Sequence, residues 1–482
     1  MHFKKVLKLL SAVLGFVAAF MLIPAVMALI WHEHEAFVSF TCVVALIAAV
    51  CIALRLISRN TNLQDLSLRD GLLFTSLTWV FATAFGAIPL VMTNTLPNYS
   101  DAFFEIISGF TTTGASRIVS VQACLKSILL WRALTNWLGG MGIVVLFIAV
   151  LPAMGADAGS FNLMGAETVG PVKGKLTSKT RNTAIIMWTI YFCITLAQTI
   201  LLLIGGLPFF DSITIAFSTV STAGFCIKDA SIGAYNSAYV DIVVTIFMIL
   251  ASINFTLYFK AITGKIKDAL RDSEFRVYMM IILISTLVGA VALRINGIFE
   301  HFGTCIRYMA FHIASIISTT GFSTANFMVW PTFTIMVLIT MMFLGGCAGS
   351  TAGGIKISRI HVLFQSAHNS IRKKNHPNAV YPLNVNNEIV SEETIFSIFA
   401  FVVIYIITWI MASVVIALTG VSIQDCLSST LLSIGNIGLG FGHESFSNYP
   451  HWSNWVFSFL MLCGRLELLT VYALFSRSFY KR

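Results

Sequence analysis

The sequence predicts an all-α polytopic membrane protein. Four units of span, short pore helix and span surround a central pore, and two extra transmembrane helices precede them. Three observations carry this: the composition, ten apolar runs of spanning length, and a stretch that recurs four times between those runs. The chain has 482 residues, of which 57% are hydrophobic and only 11% charged, with 39 Phe and 9 Trp. Soluble domains are about a quarter charged. A soluble enzyme, a nucleic-acid binder and a disordered chain are excluded. The nine Cys are scattered without a C-x-x-C. They read as small, reduced, buried side chains, not as disulfides or metal ligands.

A bilayer crossing needs about 20 apolar residues. Runs of that length fall at 6–31, 36–57, 70–93, 127–153, 183–206, 238–262, 276–297, 330–364, 394–419 and 452–475. The first is too long for a cleavable signal and reads as a span. Ten is even, so both termini share a side. With the N-terminus inside, 22 of the 30 Lys and Arg fall in inner segments or beside them, from Lys4, Lys5 and Lys8 to Arg477, Lys481 and Arg482. The positive-inside rule then gives N-in, C-in. It also accounts for the net charge of +9 without nucleic acid.

Between spans three and four, five and six, seven and eight, and nine and ten lie stretches too long for turns and too apolar for ordinary outer loops. They align on Gly114, Gly224, Gly321 and Gly438. Thirteen residues earlier stand Asp101, Asp211 and Asp425, with Tyr308 in the third copy. Directly before the glycines come Thr112-Thr113, Thr222-Ala223, Thr319-Thr320 and Asn436-Ile437. The reading is a short helix, N-capped by Asp, followed by an extended strand. About eleven helical residues reach roughly 16 Å, half of a membrane. Glycine permits a positive φ that turns carbonyls toward an axis. Irregular backbone at membrane depth is tolerated only in a protein interior or along a water-filled path. Four such strands make a carbonyl ring able to replace the hydration shell of a monovalent cation. The domains are then two N-terminal helices over 1–62 and pore units over 63–160, 161–268, 269–376 and 377–482.

The eighth run is 35 residues long, roughly 52 Å as one helix. Its centre carries Gly345, Gly346, Gly349, Ser350, Thr351, Gly353 and Gly354. Glycine weakens a helix by up to about 1 kcal/mol per residue. A broken helix with a loop across the pore, below the strands, is expected. Ile355 stands between Gly354 and Lys356, so the run lacks the ending of a phosphate-binding loop. Arg465 lies twelve residues before Arg477 in the last span, too deep for easy snorkelling. An arginine at that depth marks a pore or a partner. It either lines the cavity beneath the strands or pairs with Glu467 or a loop carbonyl. Residues two apart on a helix point differently, which disfavours Glu467. His32-Glu33-His34-Glu35 reads as a solvated turn, and Glu105, inside the first pore helix, as an acid that acts in structure or near the outer vestibule. No nucleophile with a base, cofactor motif or ATPase motif is present.

The motifs SGFTTTGAS (108–116), WLGGMGIVVL (137–146), GPVK (170–173), GGCAGSTAGGIK (345–356) and GRLE (464–467) resemble the Trk/Ktr/HKT superfamily of cation transporters. The two extra N-terminal spans favour its TrkH branch of bacterial potassium uptake subunits. The fourth strand departs by lacking a Pro between Gly438 and Gly440, the second by Ala223 before Gly224, and the loop by Ala352.

The resemblance implies potassium uptake across the bacterial cytoplasmic (inner) membrane. It implies K+ at the strands as the only metal and no cofactor on this chain. It makes 345–354 an intramembrane gate and Arg465 a pore residue. Gly114 at the first strand implies potassium over sodium. A homodimer and a TrkA-like cytosolic nucleotide-binding subunit are the implied partners, beside the lipid bilayer. An ion-coupled symporter is the alternative, but that class calls for inverted repeats, and these four run parallel.

Overall fold

The computed structural model describes residues 3–59, 61, 67–142, 180–379, 381–386, 388–442 and 445–480. The GPVK motif, the fourth run beyond residue 142 and the basic residues Lys173, Lys175 and Lys179 lie outside the described residues. The helices of eight or more residues begin with α1 (Phe3–Ile30), α2 (His34–Ile57), α3 (Leu68–Met92), α4 (Tyr99–Phe110), α5 (Lys126–Gly140) and α6 (Thr180–Ile204). Next come α7 (Phe209–Val220), α8 (Ala238–Ala251), α9 (Phe255–Ile262), α10 (Ser273–Ile295), α11 (Phe302–Ile317) and α12 (Thr332–Met342). The last are α13 (Ile357–Asn375), α14 (Glu392–Ala417), α15 (Ile423–Gly435), α16 (Ser453–Leu466) and α17 (Leu468–Phe475). A two-stranded hairpin, Asn384–Val385 with Glu388–Ile389, sits on the polar link between α13 and α14.

Among the described residues six helices are long and apolar enough to cross a membrane: α1, α2, α3, α6, α10 and α14. Their starts are chemically marked. Ser67 and Asp70 form a reciprocal capping box at α3, and Ser391 accepts the Thr394 N–H at α14, satisfying donors that the helix leaves open. One face of each packs inward. On α1 this is Val6, Leu10, Val13, Val17 and Met21, against α2 and α3. The other face stays exposed, as with Val26 and Leu29 on α1 and Val403, Ile407 and Val414 on α14. Continuous apolar patches of this kind are stable against lipid, not water. The chain is a polytopic membrane protein.

Four shorter helices, α4, α7, α11 and α15, have 12, 12, 16 and 13 residues, or about 18–24 Å. Most residues of their C-terminal halves are buried. Every residue of α4 from Ser100 to Phe110 is buried. The expected N-caps need correction. Asn98, Pro208 and Ser422 are the N-caps, and Asp101, Asp211 and Asp425 stand in the first turn. A carboxylate there still complements the positive helix end.

The eighth run breaks as its glycines predict, with α12 ending at Met342 and α13 beginning at Ile357. Two more runs, read as straight spans, also break. α8 and α9 meet at 93°, and α16 and α17 at 114°. The first bend is made by Asn254, whose side chain accepts the Thr256 N–H and starts α9 anew. The second is made at Glu467, whose φ is +65°. Arg465 therefore stands in the last turn of a helix, not midway along one.

Close packing makes a test. A Cβ on Gly289 of α10 would run into the Met309 side chain of α11, whereas one on Gly15 of α1 meets nothing within 4 Å. Gly289→Leu is expected to destabilise by about 1–3 kcal/mol through overpacking, and Gly15→Leu to leave stability unchanged. Thermal unfolding in detergent, followed by tryptophan fluorescence, checks both.

Candidate functional site

The C-terminal ends of α4, α7, α11 and α15 close in related ways. After α4, the Thr112 N–H donates to the Gly109 carbonyl (3.0 Å) and the Thr113 N–H to Ser108 (2.8 Å). After α7, the Thr222 N–H donates to Thr219 (3.0 Å) and the Ala223 N–H to Ser218 (2.9 Å). These are Schellman closures, which place one residue in the left-handed region. That residue is Thr112 (φ +56°), Thr222 (+56°), Thr319 (+61°) or Asn436 (+51°). Asn adopts this conformation readily, but a β-branched Thr does so only under strain of order 1–3 kcal/mol. Two residues on, Gly114, Gly224 and Gly321 also have positive φ, at 79°, 80° and 82°.

The segments that follow meet one another in sequence. A Cβ on Gly114 would overlap the Ala223 carbonyl oxygen, and one on Gly224 the Thr320 carbonyl oxygen. One on Gly321 would overlap the backbone of Gly438. A Cβ on Gly438 would lie 3.0 Å from the Thr320 oxygen and 3.2 Å from the Thr113 oxygen, closing the cycle. The structure thus brings the twelve residues singled out from the sequence into one ring of four backbones. Asn436 ties its ends, donating from Nδ2 to Thr113 Oγ1 and to the Met461 carbonyl, each at 2.9 Å.

Directly beneath lies the 343–356 loop. Its ends are joined where the Gly345 N–H donates to the Ile355 carbonyl (2.8 Å) and the Ile357 N–H to the Gly346 carbonyl (3.2 Å). It enters the bend between α8 and α9: the Cys347 N–H donates to the Ser252 carbonyl (2.9 Å) and the Phe255 N–H to the Gly349 carbonyl (3.1 Å). Ser350 turns back on the Cys347 carbonyl (2.6 Å). Thr351 Oγ1 lies within hydrogen-bond distance of the Val220 (3.1 Å) and Ala251 (3.0 Å) carbonyls. The Gly353 N–H donates to Thr319 Oγ1 (2.8 Å). Gly354 takes a φ of +66°.

Arg465 joins loop, ring and α5. It donates to the Thr351 carbonyl (3.1 Å), the Gly140 carbonyl (2.7 Å) and the Gly139 carbonyl, and reaches Thr112 Oγ1 at 3.4 Å. Of the two partners weighed from the sequence, loop carbonyls are the ones present. Glu467 pairs instead with Arg359, at 2.5 Å. Arg465 and Lys356 also line one cavity with Met141, Gly142, Gly353 and Gly354. The negative end of α5 faces Arg465 through the Gly139 and Gly140 carbonyls, a favourable placement.

Sequence reasoning passed over Glu274, gave Lys356 no role, and named Glu105 and Glu33 without their partners. Glu274, on α10, accepts the Ala348 and Ser358 N–H groups. Lys356 donates to the Ala352 carbonyl from a buried position. Glu105 is buried against Arg132 at 2.6 Å and accepts from Ser116 and from the Arg117 N–H, bracing the exit of the first segment. Glu33, read as solvated, accepts the N–H groups of Lys126 and Ser127 at the start of α5. A lone charged residue carries no spacing signal, which is why Glu274 did not stand out and why the partners of Glu105 and Glu33 stayed hidden.

Comparison with known proteins follows the geometry. The family model for TrkH, described as a cation transport protein, matches residues 38–480. The Trk system potassium uptake protein TrkH of Salmonella typhimurium is 32% identical over 487 residues, covering 100% of both chains. The Trk system potassium uptake protein TrkG of Escherichia coli is 33% identical over 468 residues, covering 96% of this chain and 95% of its own. The crystal structure of the potassium transporter TrkH from Vibrio parahaemolyticus matches with a TM-score of 0.89 at 30% identity, covering 100% of each chain.

The ring glycines are not equivalent. Gly224→Ala meets both a positive φ and the Thr320 carbonyl and is expected to cost well over 2 kcal/mol, from about 1–2 kcal/mol of left-handed strain plus overlap. Gly438→Ala lacks the left-handed term and meets its nearest atom at 3.0 Å, so it is expected to cost about 1 kcal/mol. Folded yield and thermal midpoint of the two variants, side by side, check the ranking.

Proposed function

The chain belongs to the TrkH family of cation transport proteins, and from that premise we propose that it carries potassium into the cell through a channel-like pore across the bacterial cytoplasmic membrane. The observation that carries the reading is the closed ring at Gly114, Gly224, Gly321 and Gly438. An ion entering it exchanges hydration water for backbone carbonyls. The twelve ring residues contain no carboxylate, which suits a monovalent ion over a divalent one. The negative helix ends lower the cost of positive charge there.

The 345–354 loop and Arg465 act as the gate. The loop contacts the ends of the second, third and fourth short helices through Thr351, Gly353 and the Gly435 carbonyl, and Arg465 reaches the end of the first. An ion leaving the ring inward meets a guanidinium and a layer of peptide. Conduction requires the loop to withdraw and the arginine to exchange its carbonyl partners. The four pore units, the N-in and C-in orientation and the homodimer belong to the same proposal. So does control by a TrkA-like cytosolic nucleotide-binding subunit.

Potassium influx into proteoliposomes under a clamped voltage tests this. Influx is expected to follow the electrochemical gradient of potassium alone. Influx that runs only with a proton or sodium gradient would falsify the pore and make the chain a coupled symporter. Gly438→Ser, the ring substitution best accommodated sterically, is expected to lower the potassium-to-sodium flux ratio by roughly tenfold. Arg465→Ala is expected to raise basal flux about tenfold for each 1.4 kcal/mol of barrier removed. An unchanged flux ratio in the first, or unchanged basal flux in the second, removes the assigned role.

A further inference from the structure

The glycine-rich loop is clamped by one carboxylate oxygen. Glu274 stands buried in the first turn of α10. Its Oε1 accepts the Ala348 N–H at 2.7 Å and the Ser358 N–H at 2.9 Å. Ala348 lies in the first half of the loop, and Ser358 lies beyond its end in α13. The loop cannot lift as a unit while both bonds stand. The second bond also replaces a missing cap. Lys356, at the N-cap position of α13, makes no side-chain cap bond, so the Ser358 N–H is an open donor at a positive helix end. A carboxylate is what such an end favours.

Glu274 is positioned in turn by the hairpin between α13 and α14. Asn386, in the hairpin turn, accepts the Ser273 N–H on Oδ1 at 2.8 Å and donates from Nδ2 to Asp272 Oδ2 at 2.7 Å. Asp272 Oδ1 accepts the Phe275 N–H at 3.1 Å and is the N-cap of α10. Asn386 thus holds the two residues before Glu274, and Asp272, held by it, caps the residue after.

We infer that Glu274 is the latch of the loop and that Asn386 is the positioning residue that aligns it. A contact made on the exposed hairpin then reaches the loop through Asp272, Ser273 and Glu274. The functional meaning of this latch rests on reading the loop as the gate.

The test uses the full chain in proteoliposomes and two readouts. One is maleimide labelling of Cys347, quantified by peptide mass spectrometry so that the other cysteines do not interfere. The other is voltage-driven potassium flux. Cys347 is fully buried in the loop, so its labelling reports loop release without reference to transport. Glu274→Ala removes both bonds. Glu274→Gln keeps an oxygen in place, and Asn386→Ala removes only the alignment. Labelling is expected to rise roughly tenfold or more in E274A, several-fold in N386A and least in E274Q. The E274A/N386A double variant should label no faster than E274A alone. Unchanged labelling in a folded E274A overturns the latch. Additive labelling in the double variant, or none gained in N386A, overturns the role of Asn386. Should E274A not fold, a rise in N386A with a smaller one in E274Q supports the latch, and wild-type labelling in both overturns it. Labelling that rises without flux upholds the latch and overturns the gate reading beneath it.

Discussion

Backbone at membrane depth has no water to bond, and this constraint governs the middle of the molecule. Four short helices end there, and a fourteen-residue break between α12 and α13 lies beneath them. Every amide and carbonyl these elements leave open needs a partner from protein or from an enclosed polar path. The helix ends close on themselves through the left-handed residues Thr112, Thr222, Thr319 and Asn436. The loop is satisfied by its neighbours: Ser252 and Phe255 in the α8–α9 bend, Glu274 on α10, Thr319 at the ring and Arg465 on α16. The two unforeseen bends follow from the same need. A straight helix through residues 252–254 would spend the Ser252 carbonyl and the Phe255 N–H internally, and both serve the loop instead.

Charge obeys a matching logic. Carbonyl-rich helix ends make the centre of the molecule negative without a carboxylate in the ring. Arg465 and Lys356 sit below it, bonded to the Gly140, Thr351 and Ala352 carbonyls. Fixed cations at that depth are costly unless such partners are supplied. Beside them Glu274 accepts the Ala348 and Ser358 N–H groups, and Glu467 pairs with Arg359. On the opposite side of the ring Asp101 pairs with Arg117 at 3.0 Å and Glu105 with Arg132 at 2.6 Å. Asp101 and Glu105, both buried on α4, are thereby each paired with an arginine.

The sequence exposed what is periodic or repeated. Apolar runs gave the long helices. The four aligned glycines gave the ring, and five glycines in ten residues gave the break at 345–354. Three of those ring positions proved conformationally obligatory, with φ near +80°. What stayed hidden depends on pairs far apart in the chain. Arg465 and Gly140 are 325 residues apart, and Glu274 and Ser358 are 84 apart. No local pattern encodes such a partner. Apolar runs also conceal bends, because residues 238–262 and 452–475 are hydrophobic whether straight or folded back. Hydropathy reports the solvent of a segment, not its direction.

The left-handed threonines show how the ring and the loop constrain each other. Glycine would occupy those positions without strain, yet three of the four carry a β-branched residue. Their side chains explain two of them. Thr319 Oγ1 accepts the Gly353 N–H, and Thr112 Oγ1 faces Arg465. At the fourth end Asn436, which tolerates the conformation, spans to Thr113 and α16. Only Thr222 turns its hydroxyl to the adjacent Ser221 carbonyl, and at that end the tie comes from the loop, through Thr351 to Val220. Each helix end thus has one side-chain connection to the loop, to Arg465 or to the neighbouring segment. At Thr112 and Thr319 the strain is the structural cost of linking the ring to what lies beneath it, since a glycine there would relax the backbone and cut the link.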